Sequence, residues 1–204
     1  MKELLVGTSN PAKVEQVRGA LSPLEDILVV GVEDKAELPE VVEDGETAQE
    51  NARKKSIAYA EALGTTVLSM DNALYFDGLE GDDRQPGLSV RRFAKEGERP
   101  NDNEILKYYS DLIGSLGQEV NGRWEFAVCV ADQDGIISET TILSPRVFTS
   151  VPSNKVIEGY PLESLQKDPE TGKYISEMSK DESDEFWNKI IGKSLQEFVS
   201  TLDL

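Results

Sequence analysis

The segment Thr8-Ser9-Asn10-Pro11-Ala12-Lys13 brings hydroxyls, a side-chain amide and an ammonium into six residues. It follows the apolar run Leu4-Leu5-Val6-Gly7, which reads as a buried strand, and it precedes Val14, Val17, Ala20 and Leu21 at helical spacing. Asn10 suits an N-cap, and Pro11 suits the first helical position, where a missing N–H costs nothing. A helix starting there turns its unpaired backbone donors and the positive end of its dipole toward whatever lies past the strand. That is how a polyphosphate would be held. The same residues also suit an ordinary turn between strand and helix, and the Gly-rich GxxxxGK[ST] loop is absent.

Further polar groups stand at suggestive places. Residues 65–70 read as a strand with Asp71-Asn72 at its end, where open α/β folds place ligands, although Asp-Asn is also a common turn pair, and Leu74-Tyr75-Phe76 continue beyond it as an extended segment. Arg53, Lys54 and Lys55 are consecutive in a predicted helix. A helix cannot point three consecutive residues the same way, so at least one can face inward. Arg91-Arg92 forms a second small cationic cluster.

What the chain lacks narrows the chemistry. It contains no histidine, which removes Ser-His-Asp, Cys-His and His-liganded zinc or iron sites. Any metal must then be a hard cation held by oxygen, such as Mg²⁺ or Mn²⁺. The single Cys129 lies in an apolar run and reads as a buried, inert thiol. A formal charge of -18 disfavours attraction to nucleic-acid backbone or anionic lipid. No run is long enough to cross a bilayer and no signal peptide is evident, so a cytoplasmic location is expected.

The elements that must position these groups follow from periodicity. Residues 27–30 read as a second strand, and an acidic, Pro-containing loop over 33–45 follows it. Thr47 and Glu50 form a capping box ahead of a helix that stops at Gly64. A helix is predicted over 103–116, and residues 124–131 and 135–142 flank Asp132-Gln133-Asp134-Gly135 as an antiparallel hairpin. Residues 146–151 suggest a further strand. The chain closes in a helix through Phe186, Ile190, Ile191, Leu195 and Phe198. At 204 residues it suits one domain, 1–204, with two lobes.

Taken together, TSNPAK, the acidic Glu43-Asp44-Gly45 leading to ETAQENARKKS, the strand VLSMDNAL, PGLSVRRF and the hairpin near Arg123 resemble the inosine triphosphate pyrophosphatase (Ham1) family, in its order and at about its spacings. The resemblance implies an α/β fold with a long mixed curved sheet in two lobes, flanked by helices around a central cleft, and a homodimer. It further implies that Thr8, Asn10 and Lys13 hold a triphosphate, that Lys55 is the inward lysine of its helix, and that Arg92 follows the Pro-Gly turn toward substrate. Glu43 and Asp71 match metal-binding acids for Mg²⁺, and Asp71 is the candidate to activate the attacking water. The implied reaction converts a nucleoside triphosphate to monophosphate and pyrophosphate.

The departures concentrate at the base end. Met70 replaces the first acid of the family's Asp-Asp pair, and Asn72-Ala73 replace the Ser-Gly that follows. The F-G-Y-D-P segment survives only as Gly159-Tyr160-Pro161, and the Ser-His-Arg signature that reads the purine edge is absent, with Asp184 to Ile190 in its place. Two readings therefore stand: a pyrophosphatase with altered base preference, or a nucleotide-binding homologue with weak or no turnover acting as a sensor or interaction protein.

Overall fold

The computed structural model describes residues 2–8, 10–32, 38–91 and 100–202. The elements run β1 (Lys2–Val6), α1 (Pro11–Leu21), β2 (Ile27–Gly31), α2 (Ala48–Leu63), β3 (Val67–Phe76), α3 (Asp102–Leu116), β4 (Glu119–Asp132), β5 (Gly135–Thr149), β6 (Gln166–Lys167), α4 (Lys180–Trp187) and α5 (Lys193–Ser200). They form a mixed α/β fold whose six-stranded sheet has the order β2-β1-β3-β4-β5-β6. β1 pairs in parallel with β2, Leu4 opposite Val29, and with β3, Leu5 opposite Val67 and Val6 opposite Leu68. Parallel neighbours need crossovers, and α1 and α2 supply them. β6 closes the other edge antiparallel to β5.

The chain divides into two compact units, and β3, β4 and β5 contribute residues to both. The first comprises Met1–Asn72, Glu125–Leu143 and Phe186–Leu204, and has a core around Leu5, Val32, Tyr59, Ala60, Val67 and Ala131. The second comprises Ala73–Trp124 and Ser144–Glu185 and packs Phe76, Ile105, Tyr109, Phe148 and Leu165. There Phe76 meets Phe148 edge to face at 4.7 Å between ring centroids. Cys129 is buried, and no helix among the described residues is long and apolar enough to cross a membrane.

Several sequence expectations change in detail. Thr47 caps α2 by accepting from the Glu50 amide, but Glu50 reaches back to the Glu46 N–H at 2.7 Å rather than to Thr47, so the reciprocal bond forms one residue early. Asp71-Asn72 does not end a strand: β3 continues to Phe76. Its pairing with β1 stops at Val6 opposite Leu68, so Asp71 lies past the end of the parallel pair while still in extended backbone. Residues 146–149 belong to a long β5 rather than a separate strand. The C-terminal helix is interrupted by a wider π turn, Asn188–Gly192. Around α3, Asn101 and Glu104 form a full capping box that the sequence reading did not use.

Candidate active site

Helix α2 is built to offer one polar stripe inward. Asn51, Lys55 and Tyr59 stand four residues apart, so they share a face, and all three are buried. Arg53 and Lys54 point elsewhere: Arg53 pairs with Glu139 and Lys54 with Asp44, both near the surface. Of the three consecutive cations, Lys55 is the one that faces in, at only 5% exposure. A buried ammonium needs acceptors, and Lys55 Nζ donates to three: Glu43 Oε2 at 3.0 Å, the Met70 carbonyl at 3.0 Å and Asp71 Oδ1 at 3.3 Å.

The first helix brings the second ammonium. Gly7 N–H donates to the Leu68 carbonyl at 2.7 Å, which keeps the chain leaving β1 beside β3. A Cβ at position 7 would fall 2.4 Å from Ser69 Oγ and 2.6 Å from the Tyr59 ring, so only glycine permits this approach. Thr8, buried, accepts at Oγ1 from the Asn10 N–H at 3.2 Å. The Asn10 carbonyl accepts from the Lys13 and Val14 amides and starts α1. One helical turn on, Lys13 Nζ lies 3.5 Å from the Met70 carbonyl and 3.9 Å from Asp71 Oδ1. Burial, then the charge of Lys55, holds the Lys13 ammonium below the ordinary lysine pKa, with Asp71 and Glu43 pulling the other way.

Asp71 is therefore the point on which both lysines converge. Its Oδ1 faces the two ammonium groups, and its Oδ2 accepts from Asn51 Nδ2 at 3.1 Å. Asn51 was not among the residues singled out in the sequence; the signal for it was its place four residues before Lys55 on the same helical face. Met70 contributes through its carbonyl alone. Its side chain is buried, and strand alternation sends it to the face opposite Asp71.

Thr8, Asn10, Lys13, Glu43, Lys55 and Asp71 thus belong to the first unit, with Lys13, Glu43, Lys55 and Asp71 in one ionic network. Arg92 lies outside the described residues. Its neighbour Arg91 is exposed and donates to the Gly159 carbonyl at 2.6 Å within the second unit. In that unit Gly159-Tyr160-Pro161 leads into a 3-10 turn, Pro161–Leu165, with Tyr160 exposed.

Two ammonium groups and two carboxylates make a balanced cluster that can exchange partners. A polyanionic ligand could take over the ammonium groups while the carboxylates turn to a cation. Among the described residues, no three Asp, Glu, Cys or His side chains gather closely enough to form a metal cage by themselves. Glu43 and Asp71 supply two carboxylates, both within 3.3 Å of the Lys55 ammonium.

The Ham1 family model matches residues 4–186. A dITP/XTP pyrophosphatase from Staphylococcus aureus (strain MW2) is 30% identical over 183 residues, 89% of this chain and 88% of that protein. Among solved structures, the Staphylococcus aureus Ham1 protein superposes with a TM-score of 0.75 at 21% identity, covering 98% of each chain. A HAM1 protein from Coxiella burnetii gives 0.75 at 18% identity, covering 99% of this chain and 100% of that one.

Proposed function

The chain belongs to the Ham1 family, and from that premise we propose that it hydrolyses a nucleoside triphosphate to the monophosphate and pyrophosphate. The observation that carries this reading is the meeting of Lys13 and Lys55, from two different helices, on the single carboxylate Asp71. Attack of water on a phosphoryl group needs alignment and charge neutralisation more than covalent help, and fixed ammonium groups supply both. The dITP/XTP pyrophosphatase name of the Staphylococcus aureus relative supports cleavage between the α and β phosphates.

In this reading Thr8, Asn10, Lys13, Lys55 and Arg92 hold the phosphates. Asp71 accepts the proton of the attacking water as the new bond to the α phosphorus forms and the bond to the bridging oxygen breaks, releasing pyrophosphate. Glu43 and Asp71 fit Mg²⁺, with Mn²⁺ as a substitute, because Mg²⁺ is commonly held by one or two carboxylates and completes its shell with water and substrate phosphates. When bound, the ion polarises the phosphoryl oxygens and lowers the pKa of coordinated water. Without a Ser-His-Arg signature the base end cannot use the donors of purine-type relatives, and we assign it an altered base preference. We take residues 1–204 as one working domain, paired as a cytoplasmic homodimer and acting on nucleotide rather than nucleic acid or membrane.

The test is pyrophosphate release from dITP, XTP and the common triphosphates, with and without Mg²⁺, in wild type and Asp71→Ala. Metal-dependent release lost in the variant supports the enzyme. Tight nucleotide binding without release supports the sensor reading instead, for which the rewritten Asp184–Ile190 region, without the Ser-His-Arg signature, is the favouring observation.

A further inference from the structure

We propose that Asn51 is the positioning residue for Asp71, holding one carboxylate oxygen so that the other is presented to the two ammonium groups. The proposal rests on the role given to Asp71 above. Asn51 is 3% exposed, and both ends of its amide are used. The Gly45 N–H lies 2.8 Å from Asn51 Oδ1. A backbone N–H can only donate, so the carbonyl oxygen must face it, and the amide nitrogen is thereby turned toward Asp71 Oδ2 at 3.1 Å. The orientation of the amide follows from its partners rather than from choice.

This arrangement does two things. On the strand side it fixes the carboxylate plane: Oδ2 is held by Asn51, and Oδ1 is left to Lys55 at 3.3 Å and Lys13 at 3.9 Å. On the loop side it ties down Gly45, two residues after Glu43. A Cβ at position 45 would fall 2.7 Å from Asn51 Oδ1 and 2.8 Å from Glu50 Cβ, so the close approach depends on glycine. One amide, placed on a regular helix, therefore sets the strand acid directly and steadies the loop that carries the second acid. Outer partners of this kind orient the groups that touch substrate or metal without touching either themselves.

Asn51→Ala removes the donor to Asp71 and the acceptor for the Gly45 N–H together. Asn51→Asp is isosteric and keeps the acceptor, but it exchanges the neutral amide donor for a second carboxyl beside Asp71, which either repels that carboxylate or takes up a proton and shares it. If Asn51 acts through Asp71, both variants lower kcat roughly 10- to 100-fold, the usual effect of losing such a partner. The KM for triphosphate stays near that of wild type, because phosphate is held by other groups. A structural role alone would reduce the yield of folded protein and the unfolding midpoint while leaving kcat per folded molecule unchanged. A second readout uses nucleotide-free protein: in ¹⁵N NMR the Asn51 side-chain amide protons exchange slowly in wild type, and Asp71→Ala speeds their exchange and moves their resonances. Wild-type kcat in Asn51→Ala, or an Asn51 amide indifferent to Asp71→Ala, overturns the proposal. A wild type that releases no pyrophosphate overturns the reaction instead, and the NMR comparison still decides the role of Asn51.

Discussion

Replacing Lys55 by Met removes one charge from the centre of the network and leaves its stem. The ammonium sits 3.3 Å from Asp71 Oδ1 and 3.0 Å from Glu43 Oε2, with Coulomb terms of about 5 kcal/mol each at an effective dielectric near 20. Most of that gross attraction offsets the cost of burying the ammonium. Removing one partner of a buried pair typically costs about 3–5 kcal/mol, because the other charge is left behind. Here the lower end applies. Asp71 keeps Asn51 at 3.1 Å and Lys13 at 3.9 Å, and the Glu43 side chain is 40% exposed and can turn to water. We expect a loss of about 3 kcal/mol, which for a chain of this size lowers the melting temperature by roughly 6–12 °C. The adjacent Lys54 is the control. Its pair with Asp44 is 42% and 71% exposed, and Lys54→Met should cost under about 1 kcal/mol. Calorimetry on both variants without nucleotide or added metal makes the comparison. Equal, small shifts, or a stabilised Lys55→Met, would refute the assignment of Lys55 as the buried counter-ion.

The pKa of Lys13 is lowered by burial and by Lys55, so between its folded value and the ordinary lysine value the unfolded chain binds more protons. The cost is fully present below the lowered value and is relieved as pH rises from it to the ordinary lysine value. Lys13→Met should therefore stabilise the ligand-free protein below the lowered value while weakening triphosphate binding for every base, measured by denaturation across pH and by titration with a non-hydrolysable triphosphate. A changed base preference would contradict the placement of Lys13 at the phosphates. Gly7→Ala should destabilise by about 1–3 kcal/mol through overpacking against Ser69 and Tyr59. Gly19→Ala, in α1 with open space around the added Cβ, should stabilise by about 0.5–1 kcal/mol, and urea denaturation of both checks the pair. Ser56 Oγ donates to the Cys129 carbonyl at 2.6 Å and accepts from the Ser69 N–H at 3.1 Å. Ser56→Ala should cost about 1–3 kcal/mol in the same assay, since buried groups on β3 and β4 lose their partner.

What the sequence made legible was local. Thr47 and Gly64 marked both ends of α2, and three consecutive cations on a helix required divergence; the structure selects Lys55 because Asn51 and Tyr59, four residues to either side, lie on the buried face. Asp71 reads from the sequence as a strand carboxylate with extended residues 74–76 beyond it. The polar Asp-Asn pair reads as a break between the two, whereas extended backbone runs unbroken through it, past the end of β1. The role of Asn51 was illegible because both its partners, Gly45 in a loop and Asp71 in a strand, are set by tertiary contact rather than by spacing within the helix. The interruption at Asn188–Gly192 was missed for a related reason: apolar spacing continues across it, and one wider turn barely disturbs the period.

The most direct measurement of the central claim is ³¹P NMR of the products formed from each triphosphate in Mg²⁺. The proposed chemistry predicts that pyrophosphate and nucleoside monophosphate appear together in wild type, and that neither appears with Asp71→Ala. Orthophosphate with nucleoside diphosphate, or pyrophosphate formed equally well by the Asp71 variant, would contradict it.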